Sequence, residues 1–401
     1  MVLGFLLARA GVEVLVLEKH ADFLRDFRGD TIHPSTLELM YELGLLEDFL
    51  QRPHQELTEI DALIDDFAVT VADFSHLPTY CKFIALMPQW DFLNFIAEKA
   101  KAYPQFHLRM EAEVVGLLVD GPNHEHGRIA GVRVNTPQGP LEVCADLVVG
   151  ADGRHSIVRK EAGLEVEDLG APIDVLWMRL PRDASDPAKL TLGRFRAGKF
   201  LVTLDRGDYW QCAYVIPKSG FEAIQRKGLP EFREQLASVA PFLKGRTNAL
   251  KEWSDVKLLS VAVDRLREWS RPGLLCIGDS AHAMSPIGGV GINLAIQDAV
   301  ATANILWQPL LRGTGVDGKL RDVQKRRTFP TRMTQGFQVL AHRGVVGPAL
   351  KSRTPIRRLP WPLRLVQRFP VLRRIPARAL GLGFRPEHVR APDANQPARG
   401  T

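Results

Sequence analysis

The feature that most constrains this chain is the stretch GLLCIGDSAHAMSPIGGVGIN, residues 273–293. Its apolar start predicts a buried strand that delivers Asp279 to the carboxyl end of a sheet, where α/β folds bind ligands. The small residues that follow predict a loop whose backbone can approach a flat ligand closely. A helical run continues from Leu294, so the positive end of a helix would face the same ligand. The alternative interpretation is a glycine-rich loop that binds nothing.

The beginning of the chain predicts a second piece of a nucleotide-binding fold. Residues 2–10 are apolar and helix-compatible, Gly11 is suited to end that helix, and residues 12–17 predict a buried strand. Glu18 then stands where a βαβ dinucleotide unit places its ribose-binding acid, about 20 residues after a glycine-rich phosphate loop. Counting back puts that loop at or before Met1, which suggests a shortened gene model or a fragment. Alternatively, Glu18 merely ends a strand in another kind of α/β protein.

The middle of the chain contains two further candidate binding elements. Residues 146–150 predict a buried strand that runs into Asp152 and Gly153, a tight turn of the kind found beside ligands. Most Asp-Gly pairs are plain turns, but here a strand precedes the pair and a helical stretch follows it. Gln89 directly precedes another predicted helix, over residues 90–102.

Residues 173–216 form a strand-rich block that two helical stretches follow, which indicates an antiparallel sheet covered by helices. Six of its side chains are candidates for substrate contact by composition: Trp177, Met178, Tyr209, Trp210, Gln211 and Tyr214. Side chains alternate between the two faces of a strand, so about half of these would face away from a pocket. Trp177, Tyr209 and Gln211 are the three that we predict to contact substrate.

Together these patterns predict an α/β fold: a Rossmann-like domain with a parallel sheet, an antiparallel-sheet substrate domain and a C-terminal helical segment. The Rossmann-like domain is expected to be discontinuous, over residues 1–165 and 262–345, and to lack its first strand. The substrate domain is expected over residues 166–261, with residues 57–88 as a candidate addition to its sheet. Residues 346–401 form a basic C-terminal segment.

Charge is distributed unevenly along the chain. The net charge is +6, but residues 301–401 hold 20 Lys and Arg against 4 Asp and Glu, a balance of +16. The first 300 residues therefore carry −10, which argues against a nucleic-acid-binding domain. Arginines interleave with apolar residues over 351–378. This pattern leaves two hypotheses, weak contact with an anionic membrane surface, or short helices packed across both domains with their arginines solvated or paired to the acidic body.

The reactive side chains predict neither a metal site nor a disulfide framework. The four cysteines are far apart in sequence: Cys81, Cys144, Cys212 and Cys276. They predict buried, reduced thiols in a cytoplasmic protein. The histidines are not at metal-ligand spacing, and no nucleophile–base pattern indicates a hydrolase. No run of about 18 apolar residues predicts a transmembrane helix.

Three of these segments together resemble the FAD-dependent aromatic hydroxylases, the p-hydroxybenzoate hydroxylase type of FAD monooxygenase. They are residues 12–44, DLVVGADGRHSIVR and LLCIGDSAHAMSPIGGVGINLAIQDA. The resemblance implies FAD as cofactor and NAD(P)H as co-substrate, with O₂ adding to reduced flavin at C4a and the hydroperoxide oxygenating an aromatic or other apolar small molecule. Alternatives on the same scaffold are a reductase, a dehydrogenase or a halogenase. A chain unable to hold FAD, acting as an interaction protein, is a further alternative.

The resemblance also implies roles for residues of the nucleotide unit and the middle of the chain. Glu18 would bind the adenosine ribose, and Arg28 would lie near the FAD pyrophosphate. Gln89 would contact the ribityl–phosphate region. Asp152 and Gly153 belong to an element that the family uses for both FAD and NAD(P)H.

The remaining implied roles fall in the long glycine-rich motif. Asp279 would hydrogen-bond the ribityl chain, and Pro286 would lie near the reacting edge of the flavin, which makes it the catalytic candidate. Contacts to the ring system would come from the glycine loop and the helix start: Gly289, Gly291, Ile292 and Asn293.

Overall fold

A computed structural model describes residues 1–24, 31–121, 127–186, 192–352 and 354–395. The strands are β1 (Val14–Leu17), β2 (Thr31–Ile32), β3 (Gln55–Leu57), β4 (Glu59–Ile64), β5 (Phe67–Asp73), β6 (Ile84–Leu86), β7 (Phe106–Arg109), β8 (Glu113–Asp120), β9 (Arg128–Thr136), β10 (Gly139–Cys144), β11 (Val148–Gly150), β12 (Val166–Asp168), β13 (Ile173–Pro181), β14 (Gly193–Arg196), β15 (Lys199–Asp205), β16 (Tyr209–Pro217), β17 (Lys257–Leu259), β18 (Asp264–Leu266), β19 (Ser270–Arg271) and β20 (Leu274–Cys276). The α-helices are α1 (Val2–Arg9), α2 (Pro34–Glu42), α3 (Leu46–Leu50), α4 (Gln89–Ala100), α5 (Ile157–Glu161), α6 (Phe221–Lys227), α7 (Leu229–Val239), α8 (Gly291–Arg312), α9 (Val316–Ala341), α10 (Gly347–Lys351), α11 (Trp361–Arg368) and α12 (Arg374–Gly381). This mixture of parallel strands, antiparallel sheets and C-terminal helices is the fold class that the sequence predicts.

The parallel strands form two separate hydrogen-bonded groups. β1 pairs with β7, and β11 pairs with β20, which β19 extends in the antiparallel direction. Among the described residues no strand joins β1 to β11. Helix α1 packs on both β1 and α8. Gly4 permits the close approach to β1, because a Cβ on residue 4 would lie only 2.7 Å from a methyl carbon of Val16.

The second large unit is a seven-stranded sheet in the order β17-β13-β16-β15-β14-β4-β5. Its neighbouring strands are antiparallel except for β14 and β4, which run parallel. Two of its strands, β4 and β5, come from residues 57–88, whereas β6 pairs with β2 and β3 in a small separate sheet. Helix α7 covers one face of the large sheet with the buried side chains of Phe232 and Leu236.

A three-stranded antiparallel sheet, β10-β9-β8, lies between the parallel strands along the chain. It contains the one cysteine whose predicted burial is wrong. Cys144 is exposed, because β10 is an edge strand whose residues alternate between half-buried and exposed. The other three cysteines are buried, and all four are free thiols.

The C-terminal part of the chain runs from the large sheet back to the first helix. Helices α11 and α12 pack on β5, the edge strand of the seven-stranded sheet. Farther on, Glu387 pairs with Arg326 of α9, and Asp393 pairs with Arg9 of α1 at 3.4 Å. In the part of the chain that the structure describes, no helix is long and apolar enough to cross a membrane.

Candidate active site

Asp279 lies at the carboxyl end of β20, in the 3-10 turn Gly278–Ser280. Only glycine suits position 278, because its φ is +61° and a Cβ there would lie 2.9 Å from the Cβ of Ala295. The neighbouring Arg154 places Nη2 3.8 Å from Asp279 Oδ2. The strand and its turn thus present a partly exposed carboxylate at the edge of the sheet.

The turn after the adjacent strand β11 reaches the same edge. Asp152 is exposed and accepts the Val158 N–H at 3.2 Å, which fixes the turn to the start of α5. Gly153 adopts a φ of +85°, and its carbonyl oxygen accepts the Ser156 N–H. Because β11 and β20 are parallel neighbours, the structure brings Asp152 and Asp279 to one edge, with Arg154 between them.

The glycine loop is fastened to β2 by hydrogen bonds across the molecule. Gly289 needs its missing side chain, since a Cβ would lie 2.3 Å from Thr31 Oγ1, which donates to the Gly289 carbonyl at 3.0 Å. The Asn293 side chain accepts the His33 N–H at 3.0 Å and the Thr36 hydroxyl at 2.7 Å, and its amide donates to Thr31 O at 3.3 Å. Asn293 therefore anchors the loop through its side chain.

Helix α8 begins at Gly291, three residues earlier than predicted. Its first turn carries backbone N–H groups that have no partner within the helix, since the earliest helical bond runs from the Leu294 N–H to Val290 O. A Cβ built on Gly291 would meet no atom closer than Met284 Cβ at 3.8 Å and Asp279 Oδ1 at 3.9 Å. The Asp279 carboxylate and the positive end of α8 therefore lie side by side.

The segment that carries Pro286 is held from the far side by α9. Gln338 accepts the Ser285 N–H at 3.1 Å and donates to the carbonyls of Ser285 and Ile287 at 2.9 and 3.0 Å. His342 Nε2 lies 2.9 Å from Ser285 Oγ, and burial lowers the pKa of this histidine. These contacts define a clamp, formed by Gln338 and His342, that sets the position of half-buried Pro286.

A buried group of charges supports the base of the site. Asp298 of α8 accepts the Gly278 N–H at 3.0 Å, Arg327 Nε at 2.8 Å, and lies 2.5 Å from His282 Nε2. Burial alone would raise the pKa of Asp298, but His282 and Arg327 hold it below its usual range. The ionised carboxylate thereby ties the turn before Asp279 to α8 and α9.

His33 offers a hydrogen-bond acceptor next to the glycine loop. Its Nδ1–H donates to the Leu380 carbonyl at 2.8 Å, so the neutral ring keeps Nε2 as the acceptor. Burial lowers the pKa of His33 to about 4, and within the described ranges Nε2 has no partner. A buried acceptor of this kind fits a bound ligand that donates a hydrogen bond.

The other cofactor residues predicted from the sequence lie in separate parts of the structure. Glu18 follows β1, where its N–H donates to Arg109 O at 2.9 Å, and its side chain accepts the His20 N–H at 3.0 Å. Gln89 is the first residue of α4, three positions beyond β6, which pairs with β2. Arg28 lies outside the described residues.

The six candidate substrate residues divide between the two faces of the large sheet. Met178, Trp210 and Tyr214 face α7 and belong to the core beneath it. Trp177, Tyr209 and Gln211 share the other face. Every second residue of a strand faces the same side, so Tyr209, Gln211 and Ala213 of β16 point the same way. Trp177 of β13 lies directly opposite Ala213 and therefore faces that side too. On that face Trp177 and Ile287 both pack against one buried cluster, which includes Val175 and Val215, so Trp177 lies on the side of the Pro286 segment.

Sequence reasoning missed the residues of α9 and β2 that hold the loop. The signal for the clamp was a run of polar residues at helical spacing along α9 and into the helical turn that follows it, comprising Arg327, Thr331, Gln335, Gln338 and His342, all of which are buried. A buried polar stripe on a helix indicates polar partners. Here Arg327 meets the carboxylates of Asp298 and Glu387, whereas Gln338 and His342 meet the Ser285–Ile287 segment. The role of Thr31 left no signal, since nothing local links it to Gly289.

The residues present fit a flavin. The N–H groups at the start of α8 that lack a partner within the helix suit the electron-rich edge of a reduced flavin, and Asp279 suits the hydroxyls of a ribityl chain. Gly291 is half-buried and carries no side chain, so a flat ring could approach its backbone closely.

Comparison with known proteins agrees with a flavin-binding site. The model of the FAD binding domain family matches residues 1–336. The 6-methylpretetramide 4-monooxygenase of Streptomyces rimosus is 33% identical over 374 residues, which cover 89% of this chain and 87% of that protein. The rifampicin monooxygenase of Streptomyces venezuelae is 28% identical over 310 residues, and the match covers 74% of this chain but 59% of that longer protein.

A solved structure shows the same fold. The p-nitrophenol 4-monooxygenase from Pseudomonas putida superposes with a TM-score of 0.69 at 21% identity, covering 96% of this chain and 95% of that one. The predicted resemblance to the FAD-dependent aromatic hydroxylases is confirmed by the family match and by the relatives. The chain therefore belongs to the FAD binding domain family and is an FAD-dependent oxidoreductase.

Proposed function

We propose that this enzyme is a monooxygenase that uses NAD(P)H and O₂ to hydroxylate an aromatic small molecule, with polycyclic phenols of polyketide type as the favoured substrate class. The similarity to the 6-methylpretetramide 4-monooxygenase supports this class, because the match spans most of both chains. The aromatic and aliphatic side chains on the large sheet support it as well, since they suit a flat, apolar substrate.

The observation that carries the proposal is the meeting of Asp279 with the start of α8. Asp279 Oδ1 lies 3.9 Å from the position that a Cβ on Gly291 would occupy, which puts an anion beside the positive end of α8. The Pro286 segment continues from there toward the sheet face that carries Trp177. In the proposal, the ribityl chain would lie beside Asp279, the flavin ring beside the start of α8, and the substrate against the apolar surface beyond it.

In this proposal most of the sequence-predicted residues have a cofactor role. The residues that would hold FAD are Glu18, Arg28, Gln89, Asp152, Gly153, Asp279, Gly289, Gly291, Ile292 and Asn293. Pro286 would border the reacting edge, and Trp177, Tyr209 and Gln211 would contact substrate. NAD(P)H would approach from the side of the Asp152 turn.

The protein's own groups would supply binding, orientation and exclusion of water. Bound FAD would supply the transfer of electrons from NAD(P)H to O₂. The N–H groups at the start of α8 stabilise negative charge on the cofactor, and the clamp keeps the Pro286 segment at a fixed distance from the sheet face. Apolar side chains of that face exclude water, which protects a reactive oxygen donor from wasteful decay.

The test is oxidation of NAD(P)H in the presence of a panel of polycyclic phenols, simple phenols and non-aromatic controls. We expect at least one polycyclic phenol to stimulate NAD(P)H oxidation and to yield a product heavier by one oxygen atom. Parallel reactions with chloride or bromide should give the same product. A dehydrogenated product without added oxygen, or a halogenated one, would replace the monooxygenase proposal by one of its alternatives.

The clamp makes a separate prediction about coupling. The Gln338→Leu variant loses three hydrogen bonds to the Ser285–Ile287 backbone, so the Pro286 segment should move relative to bound substrate. We expect the ratio of hydroxylated product to NAD(P)H consumed to fall on the order of tenfold, since small misplacements of a reacting group are costly. Product and hydrogen peroxide are measured together, and FAD affinity should stay within about twofold, because the α8 start is untouched.

The matched control is Gln335→Leu on the same helix. Gln335 is buried and donates to the carbonyls of Asp264 and Ala283, and within the described residues it makes no hydrogen bond to Ser285 or Ile287. A similar loss of coupling in both variants would show that the effect comes from general loosening of α9 rather than from the clamp.

A further inference from the structure

We propose that the outer surface of α11 and α12 docks on a lipid bilayer that contains anionic lipid. We call this surface the arginine-rich face. Its apolar members are Trp361, Leu365, Phe369, Val371 and Ile375, and its basic members are Arg364, Arg368 and Arg374.

Helix α11 has two different sides. Leu363 packs into a small cluster with Ile64 and Val69, and Gln367 donates to Ala68 O at 2.9 Å, so this side lies against β5. Trp361 and Leu365 lie four residues apart on the opposite side, and the Trp361 side chain is 67% exposed. The helix therefore presents its bulky apolar residues to solvent.

The same exposure continues beyond α11. Phe369, Val371 and Ile375 are exposed, Ile375 to 68%, and the Arg368 guanidinium lies 5.6 Å from the centre of the Phe369 ring. A folded protein rarely exposes a contiguous run of large apolar side chains unless a partner covers them. An aromatic and aliphatic surface interleaved with arginines is typical of segments that lie in the headgroup region of a membrane.

The arginine-rich face lies in a stretch of the chain that has a strong excess of positive charge. Residues 323–386 contain 15 Lys and Arg and no Asp or Glu. Within the part of the chain that the structure describes, no arginine between 357 and 378 lies in an ion pair with a carboxylate, although the first 300 residues carry −10. The packing of α11 and α12 on β5 is observed, and most of these arginines are exposed to solvent. Arg374 lies 3.2 Å from His76, and its charge helps to lower the pKa of Asp73.

An anionic bilayer matches this face better than a second copy of the chain does. In a two-fold contact the same arginines would meet each other and repel. Anionic lipid offers negative headgroups for the arginines and acyl chains for Trp361 and Leu365 at the same depth. A soluble polyanion offers only the charge.

The test is co-sedimentation of the full chain with vesicles of phosphatidylcholine alone or of phosphatidylcholine with phosphatidylglycerol. We expect binding to the anionic vesicles that weakens as salt is added, and little binding to the neutral ones. Arg364→Gln combined with Arg368→Gln should weaken binding by about tenfold or more, since each basic residue near an anionic surface contributes several-fold. Trp361→Ser combined with Leu365→Ser should weaken it on the order of tenfold or more.

The matched control is Phe337→Ser combined with Leu340→Ser, which removes exposed apolar side chains from α9 instead. This variant should sediment like the wild type, and thermal unfolding should confirm that all variants are folded. No sedimentation with anionic vesicles at low salt would overturn the proposal, as would an equal loss in the α9 variant. If the chain binds an oligonucleotide, if this binding displaces the vesicles, and if the Trp361 and Leu365 substitutions do not weaken it, the face is a polyanion site instead. If the chain forms dimers that depend on the arginines and does not bind vesicles, the face is a contact between two copies of the chain.

Discussion

The Arg327→Met variant should lose about 3–5 kcal/mol of its free energy of unfolding. Arg327 is 1% exposed, donates to Asp298 Oδ1 at 2.8 Å and lies 3.4 Å from Glu387 Oε1. Methionine can fill a similar volume, but it removes the positive charge that balances two buried carboxylates. The free-energy cost of an unbalanced charge is large in the protein interior, where the polarity is low. Urea denaturation followed by circular dichroism measures the loss.

The neighbouring arginine provides the control. Arg326 also pairs with Glu387, but its side chain is 27% exposed, so Arg326→Met should cost only about 1 kcal/mol. A double variant, Asp298→Asn with Arg327→Met, should recover part of the loss, because asparagine removes the stranded charge but can still accept the Gly278 N–H. If Arg326→Met and Arg327→Met lower the free energy of unfolding equally, the buried pair of Arg327 and Asp298 does not stabilise the fold more than an exposed ion pair does.

The Asp279→Ala variant should bind FAD on the order of 10- to 100-fold more weakly than the wild type. The carboxylate lies beside the first turn of α8 and is partly exposed, so it is placed to accept hydrogen bonds from cofactor hydroxyls. Hydrogen bonds to a charged group contribute roughly 1.5–3 kcal/mol each, which corresponds to that range. Titration of apoprotein with FAD, followed by flavin fluorescence, gives the dissociation constants.

Two further variants separate a binding role from a loss of charge or of folding. Asp279→Asn retains an acceptor and should fall between wild type and Asp279→Ala. Asp168→Ala removes an exposed carboxylate from β12, far from the α8 start along the chain, and should leave FAD affinity unchanged. If Asp279→Ala and Asp168→Ala bind FAD equally well, Asp279 has no part in the cofactor site.

The parts of the site that are contiguous in sequence were predictable from it. Strand β20, the Asp279 turn, the glycine loop and α8 occur in one order over residues 273–312, and each has a local signal. Even here the helix begins at Gly291 instead of Leu294. Glycine has a low helix propensity, so the sequence offered little indication that the helix starts at this residue. Strand alternation likewise predicted that the six substrate candidates would divide between two faces of the large sheet, and Met178, Trp210 and Tyr214 lie on the face covered by α7.

The parts that depend on long-range contacts were not predictable. Thr31 meets Gly289 across 258 residues, and Gln338 meets Ser285 across 53, through hydrogen bonds that leave no periodic pattern in the sequence. The burial of Cys144 was predicted from an apolar run, but the edge position of β10 decided its exposure. The parallel pairing of β14 with β4 is of the same kind, since strands far apart in the chain choose their neighbours through packing.

The most direct test of the proposed chemistry is a single turnover of substrate under oxygen-18 gas. Our account predicts that the hydroxylated product carries one oxygen-18 atom when the label is in O₂ and none when it is in water, and that Asp279→Ala without bound FAD forms no labelled product. Oxygen derived from water, or product formed at the same rate without O₂, would contradict the assignment of this site to oxygen transfer.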